Sequence, residues 1–133
     1  MPHSHKVAIV DDDALVRNGI GSLLRSAEYE AVVFESAEKF LASDPKAFAC
    51  VISDIQMPEI DGLALQRELK VEVPDLPIIF LTAFPDDAAR KKAIDEGAVG
   101  FLEKPCDPNE LIDILGRAVL SKIIHSRTAT VPT

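Results

Sequence analysis

The sequence predicts an α/β domain: a doubly wound, five-stranded parallel sheet with helices on both faces. Three observations predict it. Short apolar, β-branched runs alternate five times with longer amphipathic stretches over the 133 residues, the signature of repeated βα units. The runs are only three or four residues long and nearly all apolar, as strands buried on both faces are. Turn and cap chemistry marks most of the junctions between them.

The first strand is Val7–Val10, followed by a helix from about Ala14 to Ala27 with Val16, Ile20, Leu23 and Ala27 at helical spacing. Ala31–Phe34 is the second strand. Ser36 then supplies an N-cap, with Lys39 where a full capping box wants a glutamate, and the second helix runs toward Ser43. Cys50–Ile52 is a third strand ending in Asp54. The polar loop Met57-Pro58-Glu59-Ile60-Asp61-Gly62 leads to a third helix over about Leu63–Lys70. Pro74 and Pro77 bracket the entry to the fourth strand, Ile78–Leu81, and Pro85-Asp86-Asp87 opens the fourth helix with acids where the helix dipole favours them. Gly97 fits the C-cap of that helix. Val99–Leu102 is the fifth strand, Lys104-Pro105 a sharp turn, and Asp107-Pro108 the cap and first residue of a fifth helix with Leu111, Ile112, Leu115 and Val119 on its apolar face.

Residues 6–124 thus form one domain, with residues 1–5 expected to be a disordered N-terminus and 125–133, where periodicity is lost, a tail or linker stub. The 22 acidic against 14 basic residues give a net charge of −8, a poor match to a phosphate backbone, so direct nucleic-acid binding is not expected. No apolar run approaches the roughly 20 residues of a bilayer span. The N-terminal segment runs into the first strand without the apolar core of a signal peptide, which predicts a cytoplasmic location. Cys50 and Cys106 lie far apart with no Cys-x-x-Cys pair and read as packing residues. His3 and His5 fall in the expected frayed terminus. Gly19-Ile20-Gly21 lies inside the first helix and is no dinucleotide fingerprint; close packing or partner docking suits it better.

In an open doubly wound sheet, ligands bind outside the carboxyl ends of the strands. There the sequence places Asp11-Asp12-Asp13 after the first strand and Asp54 after the third. Like charges held together call for a hard divalent cation, and Mg²⁺ suits a few carboxylates plus waters and a phosphate oxygen. The plainer alternative is that the three aspartates only cap the helix behind them. Thr82 and Ala83 end the fourth strand and Lys104 follows the fifth. A carboxylate nucleophile, a metal, a hydroxyl and an ammonium together suit the acceptance of a phosphoryl group.

Val10-Asp11-Asp12-Asp13, Ser53-Asp54-Ile55-Gln56-Met57-Pro58 with Asp61-Gly62, Leu81-Thr82-Ala83 and Gly100-Phe101-Leu102-Glu103-Lys104-Pro105 resemble the receiver domain of bacterial two-component response regulators, over about residues 6–121. Asp11, Asp54, Thr82 and Lys104 are spaced 43, 28 and 22 positions apart, and four motifs in this order are specific where each alone is weak. The resemblance implies a flavodoxin-like (βα)5 fold with strand order 2-1-3-4-5. It implies Asp54 as phosphoacceptor, Mg²⁺ (with Mn²⁺ as alternative) held by Asp11, Asp12, Asp54 and the Gln56 main-chain carbonyl, and phosphoryl contacts from Thr82, the Ala83 amide and Lys104. Lys104-Pro105 would be a cis peptide, and Phe101 the switch aromatic, here without the hydroxyl of a tyrosine.

Gln56 and Phe84 fall at positions that tune reaction rate, the bulk of Phe84 being expected to hinder water and prolong the phosphorylated state. The phosphoryl donor implied is a histidine kinase or phosphotransfer protein, docking near Ala14, Val16 and Asn18. The output implied is altered protein contacts, including homodimerisation on phosphorylation, and transcription regulation through a helix-turn-helix domain outside this chain. The resemblance makes the chain a switch more than an enzyme, with weak self-phosphorylation and autodephosphorylation. A phosphatase of the haloacid dehalogenase type would want Asp-x-Asp-x-Thr or Asp-x-Asp-x-Val after the first strand, whereas this chain reads Asp11-Asp12-Asp13-Ala14-Leu15. A docking-only receiver would not need Asp11, Asp12, Asp54, Thr82 and Lys104 all intact.

Overall fold

The computed structural model describes residues 5–130. Five strands, β1 (Lys6–Val10), β2 (Glu30–Phe34), β3 (Cys50–Ser53), β4 (Ile78–Thr82) and β5 (Gly100–Glu103), alternate with five helices, α1 (Ala14–Ser26), α2 (Ala37–Ala42), α3 (Gly62–Glu72), α4 (Asp87–Asp95) and α5 (Pro108–Thr130). All strand pairs are parallel, in the order β2-β1-β3-β4-β5. The predicted fold class and strand order both hold.

Period-two alternation divides the apolar side chains between two cores. On one face Ala8, Val10, Val51, Ile78, Phe80 and Phe101 pack under α2, α3 and α4, against Phe40, Leu65, Leu69 and Ala93. On the other, Val7, Ile9, Cys50, Ile52, Ile79 and Leu81 pack under α1 and α5, against Leu24, Leu111, Leu115 and Val119. Burial pushes the Cys50 thiol up to about 12, so at neutral pH it is an inert packing group. Both cysteines are free.

The caps follow the sequence. Ser36 Oγ accepts from Lys39 N at 3.1 Å, Asp107 accepts from Asn109 N at 2.9 Å, and Gly97 takes φ 104° after α4; Asp86, expected inside the first turn of α4, is its cap instead. The boundaries differ in places. In α1 the buried positions are Gly21 and Leu24, with Val16, Ile20 and Leu23 only half-buried, because the helix sits rotated by about one residue from its apolar centre. Val99 precedes β5 and is 46% exposed. A 3₁₀ turn at Pro45–Ala47, not anticipated, delivers Phe48 edge-on to Phe34 and Phe40, with ring centroids 5.9 and 5.5 Å apart.

The ends differ too. The His5 carbonyl accepts from Glu30 N at 3.0 Å, so pairing with β2 begins at a residue expected to be disordered; residues 1–4, including His3, lie outside the described residues. Helix α5 continues to Thr130, past Ile124 where the apolar pattern of the sequence fades, since residues 125–130 contain no helix breaker. Residues 131–133 of the expected tail lie outside the described residues. Among the described residues no helix is long and apolar enough to cross a membrane.

Gly62 opens α3 hard against the third strand's exit. A Cβ there would stand 2.3 Å from the Asp54 carbonyl oxygen and 2.9 Å from Ile55 Cα, so only glycine fits. Gly19, exposed within α1, has nothing within 4 Å of such a Cβ. Urea unfolding should therefore show Gly62→Ala losing about 2 kcal/mol or more through overpacking, and Gly19→Ala gaining about 0.5–1 kcal/mol from helix propensity. Equal effects would contradict the close approach.

Candidate functional site

The sheet itself places the site residues. One residue past the strand ends, Asp11 N donates to Phe34 O at 3.1 Å, Asp54 N to Val10 O at 3.0 Å and Lys104 N to Thr82 O at 2.8 Å. Each functional backbone position is thus held by one more rung of the ladder, at the carboxyl edge where the sequence put it. Thr82 itself is the last residue of β4 and is buried.

Lys104 Nζ reaches across this edge and donates to Asp11 Oδ2 at 2.7 Å and to Asp54 Oδ2 at 3.1 Å. The remaining oxygens are held by the backbone: Asp11 Oδ1 accepts from Asp13 N at 2.9 Å, and Asp54 Oδ1 from Ile55 N at 2.7 Å. Asp13 turns the other way and caps α1, accepting from Leu15 N at 2.9 Å and Val16 N at 3.4 Å. The three consecutive aspartates therefore divide between the two readings of the sequence. Asp13 is the cap, while Asp11 and Asp12 join Asp54 in a cluster whose carboxylate oxygens lie within 4.8 Å of one another.

The charges do not balance. Burial is the main influence on Asp11 and raises its pKa above 3.8, with Lys104 and the Asp13 amide pulling it back. Burial works against the Lys104 charge as well, but its hydrogen bonds to Asp11 and Asp54 prevail and its pKa lies above 10.5. Three clustered carboxylates thus face one ammonium. Hard oxygen donors in this number fit Mg²⁺, which needs one or two carboxylates and completes its shell with water.

The other expected residues lie around this cluster. Thr82 Oγ1 accepts from Phe84 N at 3.2 Å. Ala83 and Gln56 are exposed, and Phe84 is 69% exposed, its ring outside the core. The Lys104–Pro105 peptide is cis. Phe101 is already inside: 8% exposed, with its centroid 6.3 Å from that of Phe80 and the Arg90 guanidinium 5.7 Å above its face. Two participants escaped the sequence. Arg17 Nη1 donates to the Asp11 carbonyl at 2.9 Å, and Arg90 covers Phe101; each reads in sequence as an ordinary charge on a solvated helix face, and only the fold shows what it spans.

A doubly wound α/β sheet binds ligands in the crevice outside the carboxyl ends of its strands, and here that edge brings acidic and basic side chains together. The family model described as "Response regulator receiver domain" matches residues 7–116, and the chain belongs to that family. The transcriptional regulatory protein FixJ of Bradyrhizobium diazoefficiens is 35% identical over 114 residues, covering 85% of this chain and 56% of FixJ. The response regulator protein TodT of Pseudomonas putida is 39% identical over 114 residues, covering 85% of this chain and 50% of TodT. Among solved structures, the response regulator StyR superposes with a TM-score of 0.86 at 32% identity, covering 95% of this chain and 65% of StyR. The chain spans about half the length of the curated relatives it matches. Family membership sets aside the haloacid dehalogenase alternative.

The charge imbalance has a measurable consequence. Lys104→Met leaves the carboxylates together without their ammonium, and in EDTA it should cost about 3 kcal/mol or more in urea unfolding. Added Mg²⁺ should recover more stability for this variant than for the wild type. Acidification should weaken Mg²⁺ binding to the wild type before the pH reaches 3.8, because the raised Asp11 value means a ligand is protonated early. A Lys104→Met defect indifferent to Mg²⁺ would contradict the account.

Proposed function

We propose that this chain is a phosphoryl-accepting switch in which Asp54 receives a phosphoryl group from a phosphohistidine. The observation that carries the reading is the opposition of Lys104 Nζ to Asp54 Oδ2 at 3.1 Å beside a three-carboxylate cluster. Asp54 is held by its Oδ1 against the Ile55 amide, which leaves Oδ2 as the attacking oxygen. That oxygen forms the bond to phosphorus as the phosphorus–nitrogen bond of the donor breaks, and the electron pair departs with the imidazole. Lys104 exchanges a carboxylate for a phosphoryl oxygen, the Thr82 hydroxyl and Ala83 amide donate to others, and Asp11, Asp12, Asp54 and the Gln56 carbonyl hold Mg²⁺ or Mn²⁺. When bound, that cation supplies positive charge to offset the transferring oxygens.

The donor in this reading is a histidine kinase or phosphotransfer protein. A cavity of about 590 Å³ beside the site, lined by Leu15, Val16, Ile20, Leu81, Pro105 and Pro108 among others, supports docking there. Leu15, 85% exposed, stands on the same helix as Ala14, Val16 and Asn18. In the phosphorylated state Thr82 turns from the Phe84 amide to the phosphoryl group, and the surface of α4, β5 and α5, with Phe101 beneath it, changes its partners. Homodimerisation on that surface belongs to the same reading, as does transcription regulation through an output domain outside these 133 residues, in keeping with the longer transcriptional regulatory protein FixJ. Low self-phosphorylation and autodephosphorylation activity belongs to the same reading, as does a cytoplasmic site of action.

Intact-mass measurement after incubation with acetyl phosphate tests this. One Mg²⁺-dependent phosphoryl adduct is expected on the wild type and none on Asp54→Ala. In the same time course Phe84→Ala should lose its phosphoryl group faster than the wild type, as the ring no longer hinders water. No adduct, under conditions that modify a known receiver, would leave a docking-only receiver as the reading to pursue.

A further inference from the structure

Helix α4 is held in an unusual way. Ala93 is its buried residue, Ala89 and the rest being half-buried or exposed, so few contacts fix the helix to the sheet and little resists its displacement. The exception is at its C-terminal end. On α3, the inward face that carries Leu65 and Leu69 also carries Gln66, 4% exposed. Its Nε2 donates to the Ala93 carbonyl at 2.9 Å, a buried bond between residues 27 positions apart. The same carbonyl accepts from Ala98 N at 2.9 Å, in the turn where Gly97 reverses the chain. Lys70 and Glu96 pair across the same two helices at 3.7 Å, though at the surface, where such a pair contributes little.

A glutamine on an apolar face is not there for packing. Its Oε1 has no hydrogen-bond partner among the described residues, a half-satisfied amide that an apolar residue of the same size would avoid. What it does supply is, among the described residues, the one directional bond between α3 and the backbone of α4. The opposite end of α4 starts just after Phe84, whose amide holds Thr82 Oγ1 at 3.2 Å, and carries Arg90, which touches Phe101 only by its exposed guanidinium.

We propose that Gln66 is a positioning residue that makes the last turn of α4 a fixed pivot, so that a change at Thr82 swings the N-terminal half of the helix and leaves residues 94–98 in place. α3 is in turn anchored to the acceptor strand by Gly62 N donating to Ile55 O at 2.7 Å. The pivot and the acceptor therefore share one rigid frame, and the motion between them is confined to the segment from Phe84 to about Arg90. The driver of the swing rests on the phosphoacceptor reading above; the pivot does not.

Amide hydrogen exchange on the full 133-residue chain separates the two. Gln66→Met keeps the side-chain volume and removes the buried polar atoms, so the fold is expected to persist. Without any phosphoryl mimic, amides 94–98 should exchange about fivefold faster in Gln66→Met than in the wild type, the effect of one lost buried hydrogen bond of ~1 kcal/mol, while β1 and β3 amides stay unchanged. With Mg²⁺ and beryllofluoride, wild-type changes within the stretch 83–98 should be confined to residues 83–91, and in Gln66→Met they should extend through 98. Equal exchange at 94–98 in the two unmodified proteins, or beryllofluoride changes in the wild type that run through 98, would overturn the pivot. Beryllofluoride changes absent from both proteins would count against the phosphoacceptor reading, with the pivot decided by the unmodified comparison.

Discussion

One ammonium between two carboxylates, at 2.7 and 3.1 Å, is the interaction on which the site is built. Lys104 reaches it from the end of β5, the far edge of the sheet from β2, and bridges the ends of β1 and β3. The side chains involved are largely buried, where removing one partner of a pair is costly because the other charge is stranded. Yet Asp12 stands in the same cluster and adds a further negative charge. The site is therefore stable enough to persist and electrostatically unfinished, the condition for accepting a cation and then an anion.

The fold supplies that arrangement through its topology. Strand order β2-β1-β3-β4-β5 puts β1, β3 and β4 in the middle, and parallel pairing brings their carboxyl ends to a single edge. The main-chain ladder extends to Asp11, Asp54 and Lys104, so these side chains project from backbone held by the sheet. By contrast α4, which adjoins Thr82, has little buried surface. An edge tied into the sheet ladder thus lies next to a weakly held helix.

Much of this was legible in the sequence, for definite reasons. Apolar strand runs and the capping residues Ser36 and Asp107 marked the elements because local chemistry determines them, while Asp86, expected inside the first turn of the fourth helix, is its cap instead. That Asp11, Asp12, Asp54, Thr82 and Lys104 share one edge was readable because parallel strands bring their carboxyl ends together. What was not legible depends on contacts between distant segments. That Asp13 caps α1 while its neighbour Asp12 joins the cluster is settled by the loop's path, not by residue type. Arg17, Arg90 and Gln66 look like solvated side chains until the fold shows Asp11, Phe101 and Ala93 beside them. The continuation of α5 to Thr130 escaped because apolar periodicity is the signal by which a helix is read, and the sequence loses it after Ile124.

The central claim, that the carboxylate cluster rather than the aspartate run binds a divalent cation, is tested most directly by calorimetric titration of Mg²⁺ into the wild type, Asp12→Ala and Asp13→Ala. The account predicts a single site in the wild type, lost in Asp12→Ala and retained in Asp13→Ala, whose side chain caps a helix and offers nothing to the ion. Equal loss in both variants, or binding that survives Asp12→Ala unchanged, would contradict it.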